Sequence, residues 1–310
     1  MTSRAQGAIE YLLIIGAAIL VVAIVIIAVT SVLQQGQNQS SIGVSSANDS
    51  FDSLKENSGA YVKLSNKYYL KSEPIVSGLV ESLRLNNFSN NSFADSSGSG
   101  VAAVCDPGKC PLIVNGLWSQ ALEFNSLTQG AANDGNCIYL TVLPTSNLDF
   151  GTRDFTVSLW FNTRDKPSGG GNADTLIARG ITDRVGDYGR FWCWIDYGQL
   201  SCSIANNSYS IPNASHYVNF GTFNLNEWYH LVFIKKSDSI SIYKQGSLVQ
   251  RTNLPAGYVT DFTANPFPIT IGAEGRMGYF FNGYIQEVSI WNRALSATDV
   301  NLLYQNSSVK

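Results

Sequence analysis

Two hydrophobic patterns divide this chain. From Tyr11 to Val29 every residue is apolar, glycine or tyrosine. A bilayer core of about 30 Å needs roughly 20 such residues in helix, so the run is long enough to span one. It also exceeds the apolar core of an ordinary secretory signal, about 7–15 residues. Gln34–Asn57 is rich in Gln, Ser, Asn and Gly, buries little and reads as a stalk. Ala60–Leu70 alternates around Ser65-Asn66, as a small hairpin does. From Gly78 onward, short runs of Val, Ile, Phe, Tyr and Trp are separated by Gly, Asn, Asp and Ser. Strands are predicted at Phe155–Phe161, Thr175–Ala178, Phe191–Ile195, Leu200–Ile204, Tyr229–Ile234, Ile240–Tyr243 and Ile269–Ile271. Many short strands with frequent turns imply a sandwich or barrel. One helix is predicted near the end, where Ser296-Ala-Thr-Asp299 has the form of a capping box before Val300, Leu302, Leu303 and Tyr304.

The hairpin around Tyr197-Gly198 can be read residue by residue. A two-residue loop there sets Cys193 opposite Cys202, Ile195 opposite Leu200 and Phe191 opposite Ile204. Strand faces alternate with period two, so these six share one apolar face, the expected core face. A Cys193–Cys202 cross-strand disulfide fits that register. The other face carries Trp192, Trp194 and Asp196 opposite Ser201 and Ser203. Phe155, Val157, Leu159 and Phe161 likewise separate from Thr156, Ser158 and Trp160. Trp160, Trp192, Trp194 and Asp196 are therefore candidate ligand-binding residues, since aromatic faces stack on sugar rings and carboxylates bind hydroxyls. The competing reading is that a loop or the Ala60–Leu70 segment covers them.

Charge and cysteine usage place the second pattern outside the cell. Arg4 and the amino terminus precede the apolar run, and nothing basic follows until Lys55, which orients the N-terminus to the cytoplasm. Net charge is −3 with 14% charged residues and scattered Lys and Arg, so nucleic acid is excluded as a partner. The five cysteines contain no C-x-x-C pair, which removes zinc-ribbon and thioredoxin readings. Outside the membrane disulfides are expected. Cys105–Cys110, closing a short loop, is the expected second bridge and leaves Cys137 unpaired. N-x-S/T acceptor sites begin at Asn38, Asn48, Asn87, Asn90, Asn206, Asn213 and Asn306.

Gln6-Gly7-Ala8-Ile9-Glu10-Tyr11-Leu12 resembles the class III signal peptide of archaeal type IV pilin-like proteins. Those carry a short basic leader, Gln at the first mature position and Glu at the fifth; counted from Gln6, Glu10 is the fifth. The resemblance implies cleavage after Ala5 by a prepilin peptidase, with the helix remaining among lipids or packing against its own copies. It further implies that Glu10 pairs with a mature amino terminus, since a carboxylate in a low-dielectric bundle needs a partner. Four segments follow: a leader (1–5), a hydrophobic pilin-like helix (6–35), a polar stalk with a small hairpin (36–77) and a large domain (78–310).

That domain resembles the LamG-like, concanavalin A-like lectin/glucanase superfamily. Gly78-Leu-Val, Phe93-Ala-Asp-Ser-Ser-Gly-Ser-Gly100, Ala121-Leu-Glu-Phe-Asn125 and Asp154-Phe-Thr-Val-Ser-Leu-Trp160 come first. Asn226-Glu-Trp-Tyr-His-Leu-Val-Phe233, Ile269-Thr-Ile-Gly-Ala273, Phe281-Asn-Gly-Tyr-Ile-Gln-Glu-Val288 and Trp291-Asn-Arg-Ala-Leu-Ser296 follow in order. The resemblance implies an all-β jelly-roll sandwich of two antiparallel sheets behind the membrane or filament helix. Some relatives bind one Ca²⁺, which here would draw on Asp95 and Asn125. Gln245 and Gln286 stand where the family usually has Asp, and Asn125 is not acidic, so the acidic ligands are thinned.

Catalysis is not expected. Laminarinase-type glycosidases need paired carboxylates about 5–5.5 Å apart for retaining chemistry, and no E-x-D-x-x-E pattern occurs. Glu287 stands alone, His216 and His230 have no sequence-level nucleophile partner, and no G-x-S-x-G is present. The expectation is a cell-surface, pilin-like or membrane-anchored protein displaying its domain for glycan or surface-protein binding. A purely structural filament subunit is the alternative, and a glycoside-active enzyme a distant third.

Overall fold

The computed structural model describes residues 61–307, apart from 65–66, 71–74, 99–101, 126–139, 143–147, 168–172, 181–189, 206–214, 259–266 and 275–278. The expectations at Ala5, Gln6, Glu10, Asn38, Asn48, Cys137, Asn206 and Asn213 lie outside those residues.

A small hairpin pairs β1 (Tyr61–Leu64) with β2 (Lys67–Leu70), Leu64 opposite Lys67. The large sheet system begins with β3 (Leu79–Ser89), β4 (Ser92–Asp95), β5 (Ala103–Val104), β6 (Leu112–Asn115), β7 (Gln120–Phe124) and β8 (Leu140–Val142). It continues with β9 (Phe155–Thr163), β10 (Asp174–Arg179), β11 (Arg190–Asp196), β12 (Gln199–Ala205) and β13 (Ser215–Asn219). The last strands are β14 (Tyr229–Lys236), β15 (Ser239–Lys244), β16 (Ser247–Asn253), β17 (Ile269–Ile271) and β18 (Gly283–Trp291), before helix α1 (Ala297–Ser307). All pairings are antiparallel, and every strand predicted above is present, extended by zero to two residues at each end.

The strands form two layers. One reads β13-β12-β11-β10-β17-β8 and the other β3-β18-β9-β14-β15-β16, with β4 and β5 carrying the ladder from one to the other. Period-two alternation decides what each strand contributes to the space between. Phe155, Val157, Leu159 and Phe161 of β9 enter one core with Phe191, Cys193 and Ile195 of β11. Phe155 and Phe191 meet across the layers at 5.2 Å between ring centroids. The outer faces of β9 and β11 must therefore point in opposite directions.

The β11–β12 hairpin has the predicted register: Phe191 pairs with Ile204, Cys193 with Cys202 and Ile195 with Leu200. Tyr197 and Gly198 both take positive φ, 47° and 68°, as a two-residue hairpin turn of this twist requires. A Cβ on Gly198 would meet only Lys166 at 3.8 Å, so glycine answers a backbone demand there rather than a steric one. Cys193 and Cys202 are fully buried and disulfide-bonded, with Cα atoms 4.1 Å apart. Cys105 and Cys110 form the second bridge, Cα atoms 5.1 Å apart.

The capping box forms as predicted. Asp299 N–H donates to Ser296 Oγ at 3.1 Å and Ser296 N–H donates back to Asp299 Oδ2 at 3.1 Å. Helix α1 buries Val300 and Leu303 against Val232, Ile234, Tyr243 and Trp291, together with Ile75 and Val76. Trp291 Nε1–H donates to Ile75 O at 2.8 Å. The helix thus covers part of the outer face of the β9 layer. The outer face of the β11 layer leaves its tryptophans half-exposed.

Replacing both Cys193 and Cys202 by Ala should lower unfolding free energy by about 2–3 kcal/mol, the loop-closure value for so short a loop. Urea unfolding of the double variant beside the oxidised parent measures it.

Candidate functional site

Cross-strand register builds the outer face of the β11 layer in rows. Trp192 lies between Ala178 and Ser203, with Tyr217 beyond. Trp194 lies between Thr175 and Ser201, with Asn219 beyond. Ser203, Ala178 and Thr175 are buried between the larger side chains, whereas Tyr217 is 56% exposed.

The two tryptophans do not form a flat shelf. Their rings stack on each other, centroids 4.2 Å apart and planes 20° from parallel. Trp192 is further enclosed by Tyr279 at 5.8 Å and by the Arg190 guanidinium at 5.4 Å. Its Nε1–H donates to Thr175 Oγ1 at 3.0 Å, and Arg190 pairs with buried Glu274 at 3.4 Å. Trp192 is thus a held ring. Trp194 has no ring partner except Trp192 among the described residues, and it is half-exposed.

The Trp194 row runs to the sandwich rim through Ser201 and Asn219. Ser201 Oγ–H donates to Asn219 Oδ1 at 2.7 Å, linking the Trp194 row to a half-open cavity of about 490 Å³. Tyr197, Gly198, Gln199, Leu200, Asn219, Gly221 and Thr222 line it. Asn219 N–H donates to Gln250 Oε1 at 2.7 Å, while Lys244 donates to Thr222 O and Lys166 to Phe223 O. These contacts brace the 219–223 wall. Tyr197 stands 70% exposed at the mouth, and Asp196 Oδ1 accepts the Tyr197 N–H at 2.8 Å. The cavity lies in the size range of small-ligand sites. An aromatic face beside amides, hydroxyls and a carboxylate suits a polyol with one apolar face.

Trp160 does not join this site. It lies on the opposite outer face and is 3% exposed. Trp118 meets it edge-on at 4.7 Å, and His230 and Tyr304 of α1 stack at 5.1 and 5.9 Å. Two layers packed core to core necessarily turn the outer faces of β9 and β11 apart, so the three tryptophans never formed one surface. The structure also brings Ser158 to His230, Oγ to Nε2 at 2.9 Å, a contact invisible in sequence because 72 residues separate them. Burial pushes the imidazole down to about 3, so it is neutral. Its Nδ1 has no partner to orient it and the pair is closed off, which is packing rather than nucleophile chemistry.

Asp95 anchors a turn. Its Oδ1 accepts Ser82 N–H at 2.9 Å and Ser97 N–H at 2.7 Å, and its Oδ2 accepts Ser97 Oγ–H at 2.7 Å. The neighbouring acid that feels its charge is Glu81. Glu81 is fully buried with neither oxygen hydrogen-bonded; burial, reinforced by Asp95, pushes it up to about 9. Calcium needs six to eight oxygens, and among the described residues no group of three His, Cys, Asp or Glu side chains gathers. The Asp95/Asn125 set does not fit that ion. Among the acceptor asparagines, Asn90 is exposed on a turn at φ 51°, Asn87 lies in β3 and Asn306 is half-buried in α1.

Residues 134–301 match the family model of the concanavalin A-like lectin/glucanases superfamily, and residues 3–29 match the class III signal peptide. No curated protein matches the chain. Among solved structures, the binding domain of Paraclostridial Mosquitocidal Protein 1 is similar at 18% identity and TM-score 0.55, covering 74% of this chain and 52% of that one. The receptor binding domain of botulinum neurotoxin D gives 16% and 0.56, covering 76% and 54%. The binding domain of botulinum neurotoxin DC in complex with SialylT gives 16% and 0.57, covering 76% and 53%. The chain spans about half the length of these structures, and at such identity the likeness is one of fold.

A pH test follows for Glu81. Its folded pKa of about 9 lies above the unfolded 4.5, so its contribution is full below the unfolded value and is lost as pH rises through the folded one. Glu81→Gln should therefore raise the Tm at about pH 8 and leave it nearly unchanged at about pH 4. Thermal unfolding of both proteins at the two pH values reads the difference.

Proposed function

Because this chain belongs to the concanavalin A-like lectin/glucanases superfamily, we propose that it is a surface-displayed, non-enzymatic binding protein whose sandwich takes glycans at the Trp194–Tyr197 rim. Its class III signal peptide supports a surface protein. The observation that carries the ligand reading is a 490 Å³ cavity lined by Tyr197, Gln199, Asn219 and Thr222, whose Asn219 accepts from Ser201, the strand partner of half-exposed Trp194. Similar folds described as binding or receptor binding domains, one of them in complex with SialylT, add support. Asp196, whose Oδ2 is outside the turn hydrogen bond, is assigned to a sugar hydroxyl.

The class III signal peptide favours a second element of the reading: prepilin-peptidase cleavage after Ala5, leaving a helix that anchors the domain or assembles with its copies. Glu10 is assigned to charge pairing with a mature amino terminus in that assembly.

On a glycan array with the full-length protein in detergent, Trp194→Ala should weaken binding at least about ten-fold, equivalent to about 1.4 kcal/mol. Trp160→Ala should leave affinity unchanged while lowering the Tm. Equal binding by Trp194→Ala and wild type, or none by wild type, refutes the rim as a glycan site. N-terminal sequencing of the mature protein should begin at Gln6; an intact Met1 refutes the processing step.

A further inference from the structure

Away from the cavity, another exposed aromatic ring stands beside a side chain that can be modified. β3 and β4 meet in a two-residue hairpin turn, Asn90-Asn91, with both residues at positive φ, 51° and 59°. Asparagine tolerates that left-handed backbone where most side chains do not. Asn90 is exposed at the tip and opens the acceptor triplet Asn90-Asn91-Ser92. The turn is held from one side: Cys105 N–H donates to Asn91 O at 3.0 Å, and Cys105 is bridged to Cys110. Of the other acceptor asparagines among the described residues, Asn87 lies inside β3 and Asn306 is half-buried in α1.

Phe88 gives this turn an apolar neighbour. It pairs with Phe93 across the hairpin, and the two rings lie 4.6 Å apart between centroids. Phe93 is fully buried in the core, whereas Phe88 is 39% exposed. Part of the Phe88 ring is thus covered by Phe93, and much of the rest faces water. Asn90 follows two residues later, about 7 Å on at the rise of a strand, so a sugar linked to its side chain reaches the ring. The C–H face of a sugar ring is apolar, and it covers an aromatic ring without burying a hydroxyl. The class III signal peptide supports a surface protein, the setting in which N-x-S/T triplets are used as acceptors.

We propose that Asn90 carries an N-linked glycan whose first sugar lies on the Phe88 ring. In the linking step Asn90 Nδ2 forms a bond to C1 of an oligosaccharide carried on a lipid phosphate. The C1–O bond to the phosphate breaks, the lipid phosphate leaves with the electron pair, and an Nδ2 proton passes to solvent. A transferase of the exporting cell brings the lipid-linked donor, and the Ser92 hydroxyl completes the triplet it recognises. The glycan takes the exposed part of Phe88 out of water and puts a hydrophilic cover over the hairpin tip. The proposal rests on surface display and not on ligand binding at the rim.

The test takes full-length protein isolated from the membranes of its native host. Tryptic peptide 85–109, reduced and fragmented in a mass spectrometer, should carry a glycan mass on Asn90. Ser92→Ala, which breaks the triplet and keeps both turn asparagines, should remove it. Thermal unfolding of wild type, Phe88→Ala, Ser92→Ala and the double variant then reads the stacking, because the cycle cancels what each substitution does alone. Ser92→Ala should lower the Tm by about 2–4 °C more with Phe88 present than in the Phe88→Ala background. The same four proteins made in a host that does not glycosylate should show no such coupling. An unmodified Asn90 overturns the proposal; on a chain that N-terminal sequencing shows to begin at Gln6, surface display still stands. Equal Tm losses in both Phe88 backgrounds, or the same coupling without the glycan, overturn the contact with Phe88.

Discussion

Phe155 and Phe191 touch across the sandwich, and the burial of alternate side chains they represent is the constraint on which the domain rests. Once one face of every central strand faces the other sheet, the remaining faces are assigned as well. On β9 the outer residues Ser158 and Trp160 fall beneath α1 and Trp118. On β11 the outer residues Trp192 and Trp194 remain half-exposed. The distribution of functional surface follows from core packing, with the C-terminal helix deciding which side is closed.

Polar groups obey the same geometry. Those at the layer centre are neutral or paired: His230 loses its proton affinity to burial, and Arg190 finds Glu274. Those at the rim have more freedom. Asp196 and Tyr197 project from a two-residue turn, and Asp165 and Asp174 share a clasp from Asn282. The rim is where backbone loops meet water, and the proposed ligand site lies there.

Much of this architecture was legible residue by residue. The alternation in Phe155–Phe161 and the Tyr197-Gly198 turn determined strand type, register and the Cys193–Cys202 bridge, because period-two geometry and a two-residue loop leave one register. The Ser296/Asp299 box likewise formed where its spacing placed it. Local rules reached the pairing of adjacent strands and stopped there. They could not say that Trp192 and Trp194, two residues apart on one face, would stack on each other. Nor could they bring Ser158 to His230 or Asp165 and Asp174 to Asn282, contacts spanning 72, 117 and 108 residues.

By itself, the sequence determined the class III signal peptide, the all-β domain, the hairpin disulfide and the aromatic residues that avoid the core. These depend on short-range periodicity, hydrophobic length and motif spacing, which a linear chain carries in full. The tertiary structure alone decided which aromatic residue faces water and which acids lack a counter-charge. Exposure and desolvation are set by what other strands, loops and the helix place against a residue. The sandwich turned Trp160 to the outer face that α1 covers, left Trp194 half-exposed on the other outer face and buried Asp174 next to Asp165.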